Sequence, residues 1–332
     1  MNGFRLSLIL AILACMSNFG LADAVYNFQT VIDTSDPTFN QELGINNSGL
    51  IAGYFGSGAA GHPNKGYTSA PPYTSFTNEN FTGSVQTQVT GLNNIGTTVG
   101  FWSNTNVGGG NDSNFGFVDV GGTFTNVNNP NTATMAPTFN QLLGVNDSNI
   151  AVGFYTDAAG NTHGYTYNIA TKTFSANIDD PNAVMNTTAA AINIAGEIAG
   201  FYTDAGGLFH GFIDNGGVFT TLDAAGATDT SLLGLNNLGE AVGFDILPSG
   251  AMHGIICSVT ALSCTQLDDP NGIGTTTFNG VNDKGQIVGF YVDGAGNTDG
   301  LVATVPEPTS LALLGSGLLG LVYRLRRARA RS

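Results

Sequence analysis

The sequence predicts an all-β chain folded as a six-bladed β-propeller, and three observations carry that reading. First, the phrase Gly-Ile-Asn-Asn-Ser-Gly-Leu-Ile-Ala-Gly-Tyr-Phe, starting at Gly44, returns from Gly91, Gly144, Ala191, Gly234 and Gly280. Its leading Asn stands at Asn46, Asn93, Asn146, Asn193, Asn236 and Asn282, and a Gly follows seven residues later in every copy. Successive Asn are 47, 53, 47, 43 and 46 residues apart, a period that marks repeat architectures, propellers among them. Second, each unit parses into four short strands. Third, the mature N-terminus carries an orphan strand that the last unit lacks.

The third copy shows the parse. Thr138 to Val145 reads as the first strand. Asn146-Asp147-Ser148-Asn149 is a turn, rich in residues that tolerate left-handed backbone. Ile150 to Thr156 is an apolar, β-branched and aromatic run suited to a strand buried on both faces. After a second turn over Asp157 to Asn161, His163 to Tyr167 and Thr173 to Ile178 supply the third and fourth strands. Asp179-Asp180-Pro181 ends the unit, because Pro cannot serve a central ladder. Four strands per ~45 residues, repeated radially, describe a propeller. The last copy stops at Asp299 to Thr304 without a fourth strand, while Tyr26 to Asp33 resembles the fourth strand Gly217 to Asp223. The N-terminal strand is expected to complete the last blade. An open β-solenoid is the runner-up; it would leave both end edges exposed.

The two ends read as addresses. Arg5, an apolar core from Leu6 to Cys15, and the small-x-small pattern Ala22-Asp23-Ala24 form a secretory signal peptide over 1–24. Ile12 to Cys15 offers a rival lipoprotein site. At the other end, 305–332 runs from Pro306-Glu307-Pro308 through an apolar stretch to Arg324, Arg326, Arg327, Arg329 and Arg331. That stretch falls short of the ~20 residues of a comfortable membrane span. The stretch is read as a short membrane helix whose C-terminal end the arginines would hold in the cytoplasm; the bland alternative is a plain tail anchor that stays in place.

Between the ends, residues 25–305 hold three lysines, no arginine and 22 acidic residues, a balance near −19. Nucleic-acid binding needs Lys/Arg patches and is disfavoured on this count, so no nucleic-acid partner is expected. An anionic surface keeps an exported protein soluble and attracts Ca²⁺ or cationic groups. Cys257 and Cys264 fall on neighbouring strands, where an exported compartment permits a bridge between them; two free thiols are the alternative.

Other candidates weigh against bland readings. His163, His210 and His253 occupy one position in three successive units and would lie on one ring of the propeller. They are read as metal ligands or as consensus residues bonded to backbone. Asp293 to Asp299 alternates oxygen ligands loosely like a Ca²⁺ loop without its distal Glu, and turn chemistry explains the same residues. Tyr54, Trp102, Tyr155, Tyr202 and Tyr291 follow glycines in second strands, as blade packing or as platforms for sugars. No nucleophile elbow, zinc-protease helix or phosphate loop is present. The insertion between Ser103 and Asn114 is the one clear departure in loop length.

The C-terminal tripartite tail resembles the PEP-CTERM sorting signal of Gram-negative bacteria. The resemblance implies recognition by an exosortase-type membrane enzyme, display at the cell surface, and an association with exopolysaccharide or other envelope proteins. The repeat is similar to HAF-type extracellular repeats, through His163-Gly164-Tyr165, His210-Gly211-Phe212 and His253-Gly254-Ile255; Lys65, Phe115 and Asp299 replace the His in the other copies. That likeness implies a propeller and no reaction. The expectation is a non-enzymatic surface or matrix protein. The alternative is an extracellular carbohydrate-active enzyme with its site at the propeller axis.

Overall fold

The structure is a computed structural model that describes residues 26–305. Within them 24 strands form six four-stranded antiparallel sheets, arranged as the blades of a propeller. Strand β1 (Asn27–Val31) comes first. Blade 1 holds β2 (Asn40–Ile45), β3 (Ile51–Phe55), β4 (Lys65–Ser69) and β5 (Phe76–Asn78). Blade 2 holds β6 (Gln86–Leu92), β7 (Thr97–Ser103), β8 (Phe115–Val120) and β9 (Thr123–Val127). Blade 3 holds β10 (Asn140–Val145), β11 (Ile150–Thr156), β12 (Thr162–Asn168) and β13 (Thr173–Phe174). Blade 4 holds β14 (Thr187–Ile192), β15 (Ile198–Thr203), β16 (Phe209–Asn215) and β17 (Val218–Thr221). Blade 5 holds β18 (Asp229–Leu235), β19 (Glu240–Ile246), β20 (Met252–Ser258) and β21 (Ser263–Gln266). Blade 6 holds β22 (Thr277–Val281), β23 (Ile287–Val292) and β24 (Thr298–Thr304), and β1 adds as its fourth strand. The expected closure is therefore present, and the open solenoid is not the fold.

The repeat phrase now has a mechanical explanation. The first strand of each blade faces the axis and touches its counterparts on both sides, blade 6 meeting blade 1. Gly91 sits so close to the next inner strand that a Cβ there would lie 2.8 Å from Leu143 O and 3.0 Å from Gly144 Cα. The following residue points to the axis: Ile45, Leu92, Val145, Ile192, Leu235 and Val281, each buried, form one apolar ring. Every first strand also carries a bulge, as between Leu142 and Gly144. The bulge drives a first-strand carbonyl toward the second strand, so a Cβ on Gly153 would run into Gln141 O. That is why Gly follows the Asn by seven residues in all six copies.

The sequence-based parse of blade 3 needs one correction. The fourth strand is two residues long and not six. Ser175 Oγ accepts the Thr166 N–H, replacing the ladder carbonyl, and pairing resumes only at the isolated Gly164–Ile178 bridge.

Candidate functional site

At the first-to-second-strand end, the repeat Asn staples blades to one another. Asn46 Nδ2 donates to Asn93 O, Asn93 to Asn146 O, Asn146 to Asn193 O, Asn236 to Asn282 O and Asn282 back to Asn46 O, at 2.9–3.2 Å. The Oδ1 of each closes its own turn, as Asn146 Oδ1 does for Ser148 N–H and Ile150 N–H. A second ring lies one residue on. Asp147 accepts from Asn94, and Asp283 accepts from Asn237 and Asn47. Asn193 turns inward to Glu197, and there Ile194 N–H to Asn237 Oδ1 carries the seam between blades 4 and 5. All six seams are bridged.

The axial mouth at this end encloses about 70 Å³, and the opposite mouth about 80 Å³. Both abut the apolar ring. Burial pushes the Asp283 carboxyl up, but hydrogen bonds from Asn47 and Asn237 outweigh it and hold the group below its ordinary value. The acids at this mouth are thus bound acceptors.

The three repeat histidines face carboxylates, not backbone. His163 Nδ1 lies 2.8 Å from Asp179 Oδ1, with Nε2 3.4 Å from Asp157 Oδ2. His210 is held alike between Asp223 (2.7 Å) and Asp204 (3.4 Å). His253 keeps Asp268 at 2.7 Å, while Leu247 takes the second position. Each bracket ties a third strand to the end of the fourth. Burial lowers His210, but its bonds to and charge from Asp223 and Asp204 win and raise its pKa. Among the described residues no three His, Cys, Asp or Glu converge to hold a metal. The Asp293 turn, read as a loose Ca²⁺ loop, spends its carboxylate on Ala295 N–H, Asn297 N–H and Asn297 Nδ2. Cys257 and Cys264 stand opposite each other on β20 and β21 and form a disulfide.

The aromatics divide. Tyr155, Tyr202 and Tyr291 are buried between blades, and each hydroxyl has a partner. Tyr54, also buried, pairs across to Gly66, one step away from the position that Trp102 shares with the other three. Trp102 is only half-buried. It stacks on Phe81 (4.5 Å, 2°), donates to Asn126 Oδ1 and lines a cavity of about 400 Å³.

This cavity is built by the insertion that the sequence singled out. The buried Asp112 accepts from Thr105 Oγ1, Val107 N–H and Gly108 N–H, so one carboxylate folds the loop. Those bonds outweigh burial and hold Asp112 below its ordinary pKa, hence ionised. Asn106 then clamps the loop to blade 1, donating to Gly58 O and accepting from Gly61 N–H. The walls carry an amide network: Gln88 Nε2 to Asn64 Oδ1, Gln86 Nε2 to Thr105 O, and Gln141 Nε2 to Asn114 Oδ1. Half-buried Phe101 and Phe139 complete them. Sequence reasoning marked the loop by its length but not the amides, which come from three different blades.

Ala22, Ala24, Pro306, Glu307, Pro308, Arg324, Arg326 and Arg327 lie outside the described residues. Among the described residues no helix is long and apolar enough to cross a membrane.

Residues 304–327 match the PEP-CTERM protein-sorting motif. The match implies export, surface or extracellular localisation in a Gram-negative bacterium, and recognition by an exosortase-type processing enzyme. No curated protein matches the chain. By shape it is similar to TolB from Acinetobacter baumannii (TM-score 0.48, 12% identity, 68% of this chain and 53% of that one). It is likewise similar to AofleA from Arthrobotrys oligospora (0.48, 8%, 86% and 88%) and to Trypanosoma rangeli sialidase in complex with the inhibitor DANA (0.48, 6%, 86% and 56%). The chain thus spans about half the length of TolB. These likenesses carry no argument about activity.

Proposed function

We propose that the chain is an exported cell-surface protein whose propeller, residues 25–304, is a non-enzymatic binding or structural module of the HAF-repeat type. In this reading 1–24 is a cleaved signal peptide, and 305–332 is a sorting tail that anchors the protein in the inner membrane until an exosortase-type enzyme acts. The partners are exopolysaccharide or envelope proteins of a biofilm matrix. The observation that carries the reading is the sorting motif, whose match begins at Thr304, the last residue of the closing blade. Two further facts support it. The symmetric polar residues bond one another across the blade seams, and the axial mouths enclose only about 70 and 80 Å³.

The test is cell fractionation of wild type, Glu307→Ala and a chain ending at Val305. Wild type is expected at the surface or in the medium. Glu307→Ala is expected to stay in the inner membrane, and the truncated chain in the periplasm. Identical distribution of all three would refute the sorting role.

A further inference from the structure

We infer that the cavity between blades 1, 2 and 3 is a binding site for a neutral saccharide, one or two sugar units of a chain end. This deepens the binding-module reading and rests on it. The chemistry of the walls selects the ligand. Sugars present an apolar C–H face and a rim of hydroxyls that both donate and accept. The half-buried rings of Phe101 and Phe139 offer apolar surface for the first. Amides, each both donor and acceptor, suit the second, and Gln88, Gln141 and Asn114 supply them.

The Asp112 carboxylate, engaged by Thr105, Val107 and Gly108, fixes a negative charge in the cavity wall. No Lys or Arg lines the cavity. An anionic sugar would meet an ionised Asp112, no cation, and a domain near −19. Uronates, sialates and phosphosugars are therefore disfavoured. About 400 Å³ falls in the ordinary range of small-molecule sites, roughly 300–1,000 Å³. The site is also preorganised: the Asp112 and Asn106 contacts fix the loop, and the amides already bond one another, so binding orders little.

The sequence supplies its own reporter. Trp102 is the only tryptophan in the chain and lines this cavity. The experiment is a tryptophan-emission titration of the exported full chain, held in a zwitterionic detergent without a sugar headgroup. The probes are methyl glycosides of neutral hexoses, deoxyhexoses and N-acetylhexosamines and their disaccharides, with glucuronic acid and glucose 6-phosphate as anionic counterparts.

At least one neutral glycoside should give a saturable change, with half-saturation on the order of 1–10 mM, the scale for ligands of that size. Gln141→Leu and Phe101→Ala should each weaken it tenfold or more while the melting temperature and the free-state emission of the single tryptophan stay as in wild type. Should either variant unfold, Gln88→Leu provides the same comparison from blade 2. No saturable change with any neutral glycoside overturns the inference, and so does a response confined to the anionic sugars. The outcome is separable from the sorting reading. Surface display with no sugar response rejects this site alone, whereas binding by a protein retained inside the cell rejects the localisation alone. Release of free sugar during the titration would keep the site and overturn the non-enzymatic reading.

Discussion

Glu42 occupies a place in β2 where the other first strands carry Val89, Leu142, Ala189, Leu232 and Phe278. It is fully buried at the seam where blade 6 meets blade 1, within reach of Gly300 on β24. Tyr67 Oη donates to its Oε1 at 2.6 Å, and its Oε2 has no partner. Burial pushes its carboxyl up to about 8, against a lowering from Tyr67 and a smaller raising from Asp33. A buried acid with a raised pKa binds a proton in the folded state that it has already lost in the unfolded one. Its contribution is therefore fully present below pH 4.5 and is lost as pH rises through about 8. At about 1.4 kcal/mol per unit, the loss across that window is about 4 kcal/mol. Glu42→Gln keeps an acceptor for Tyr67 and cannot ionise. Urea denaturation of both proteins from pH 4.5 to 8.5 should show wild type falling relative to the variant by about that amount. The difference cancels other groups that titrate in the same range, His210 among them. Parallel curves, within about 0.5 kcal/mol, would mean that Glu42 ionises as in water and would refute the reasoning.

Asn146 alone bridges blades 3 and 4 in the two axial rings, so Asn146→Ala strands the Asn193 carbonyl and two turn N–H groups. A loss of about 2–3 kcal/mol is expected by urea melts, against under about 1 kcal/mol for the exposed Asn94→Ala. Gly153→Ala must part β10 from β11, because its Cβ meets Gln141 O. It should cost about 2 kcal/mol or more, whereas Gly160→Ala, with φ +92 and open space around it, should cost about 1 kcal/mol. The raised pKa of His210 makes its bracket strongest below pH 6.5 and weaker as pH rises through the folded value. His210→Gln should flatten that part of the pH–stability profile, and NMR titration of the imidazole should show the upward shift directly.

Much of the ring was legible because symmetry repeats a local demand six times. The Gly that faces the bulge, the apolar residue at the axis and the Asn turn recur at one spacing, and strand β1 was readable as the missing member of blade 6. What the Asn does was not legible. Its Nδ2 reaches the next blade, a contact 46 to 53 residues away in sequence for four seams and 236 at the closure. Nothing in one copy distinguishes that bond from an ordinary turn. The histidines showed the same limit: their position was plain, but their Asp partners sit on a turn and at a strand end that only folding brings together. Glu42 was missed because a single acid in a strand reads as a surface residue until the neighbouring blade closes over it.

In a sixfold ring, residues that obey the repeat are explained by the ring, so other constraints are best sought where the repeat fails. Two such failures frame blade 1. Glu42 puts a titratable group at the closure seam, where five sister positions pack hydrocarbon or methyl groups. On the other side the 103–114 insertion leans over the Gly58 turn and walls a cavity from three blades. Neither is needed to close the propeller. Trimming the insertion to the length of its counterpart, so that Asp157 to Asn161 replaces Asn104 to Ser113, tests this division. The ring should melt within a few degrees of wild type, because the seam bonds of Asn46, Asn93 and Asn94 are untouched. The emission response of Trp102 to neutral glycosides should vanish. A trimmed protein that fails to fold would place the insertion among the ring's own supports and remove the argument that it was shaped for a ligand.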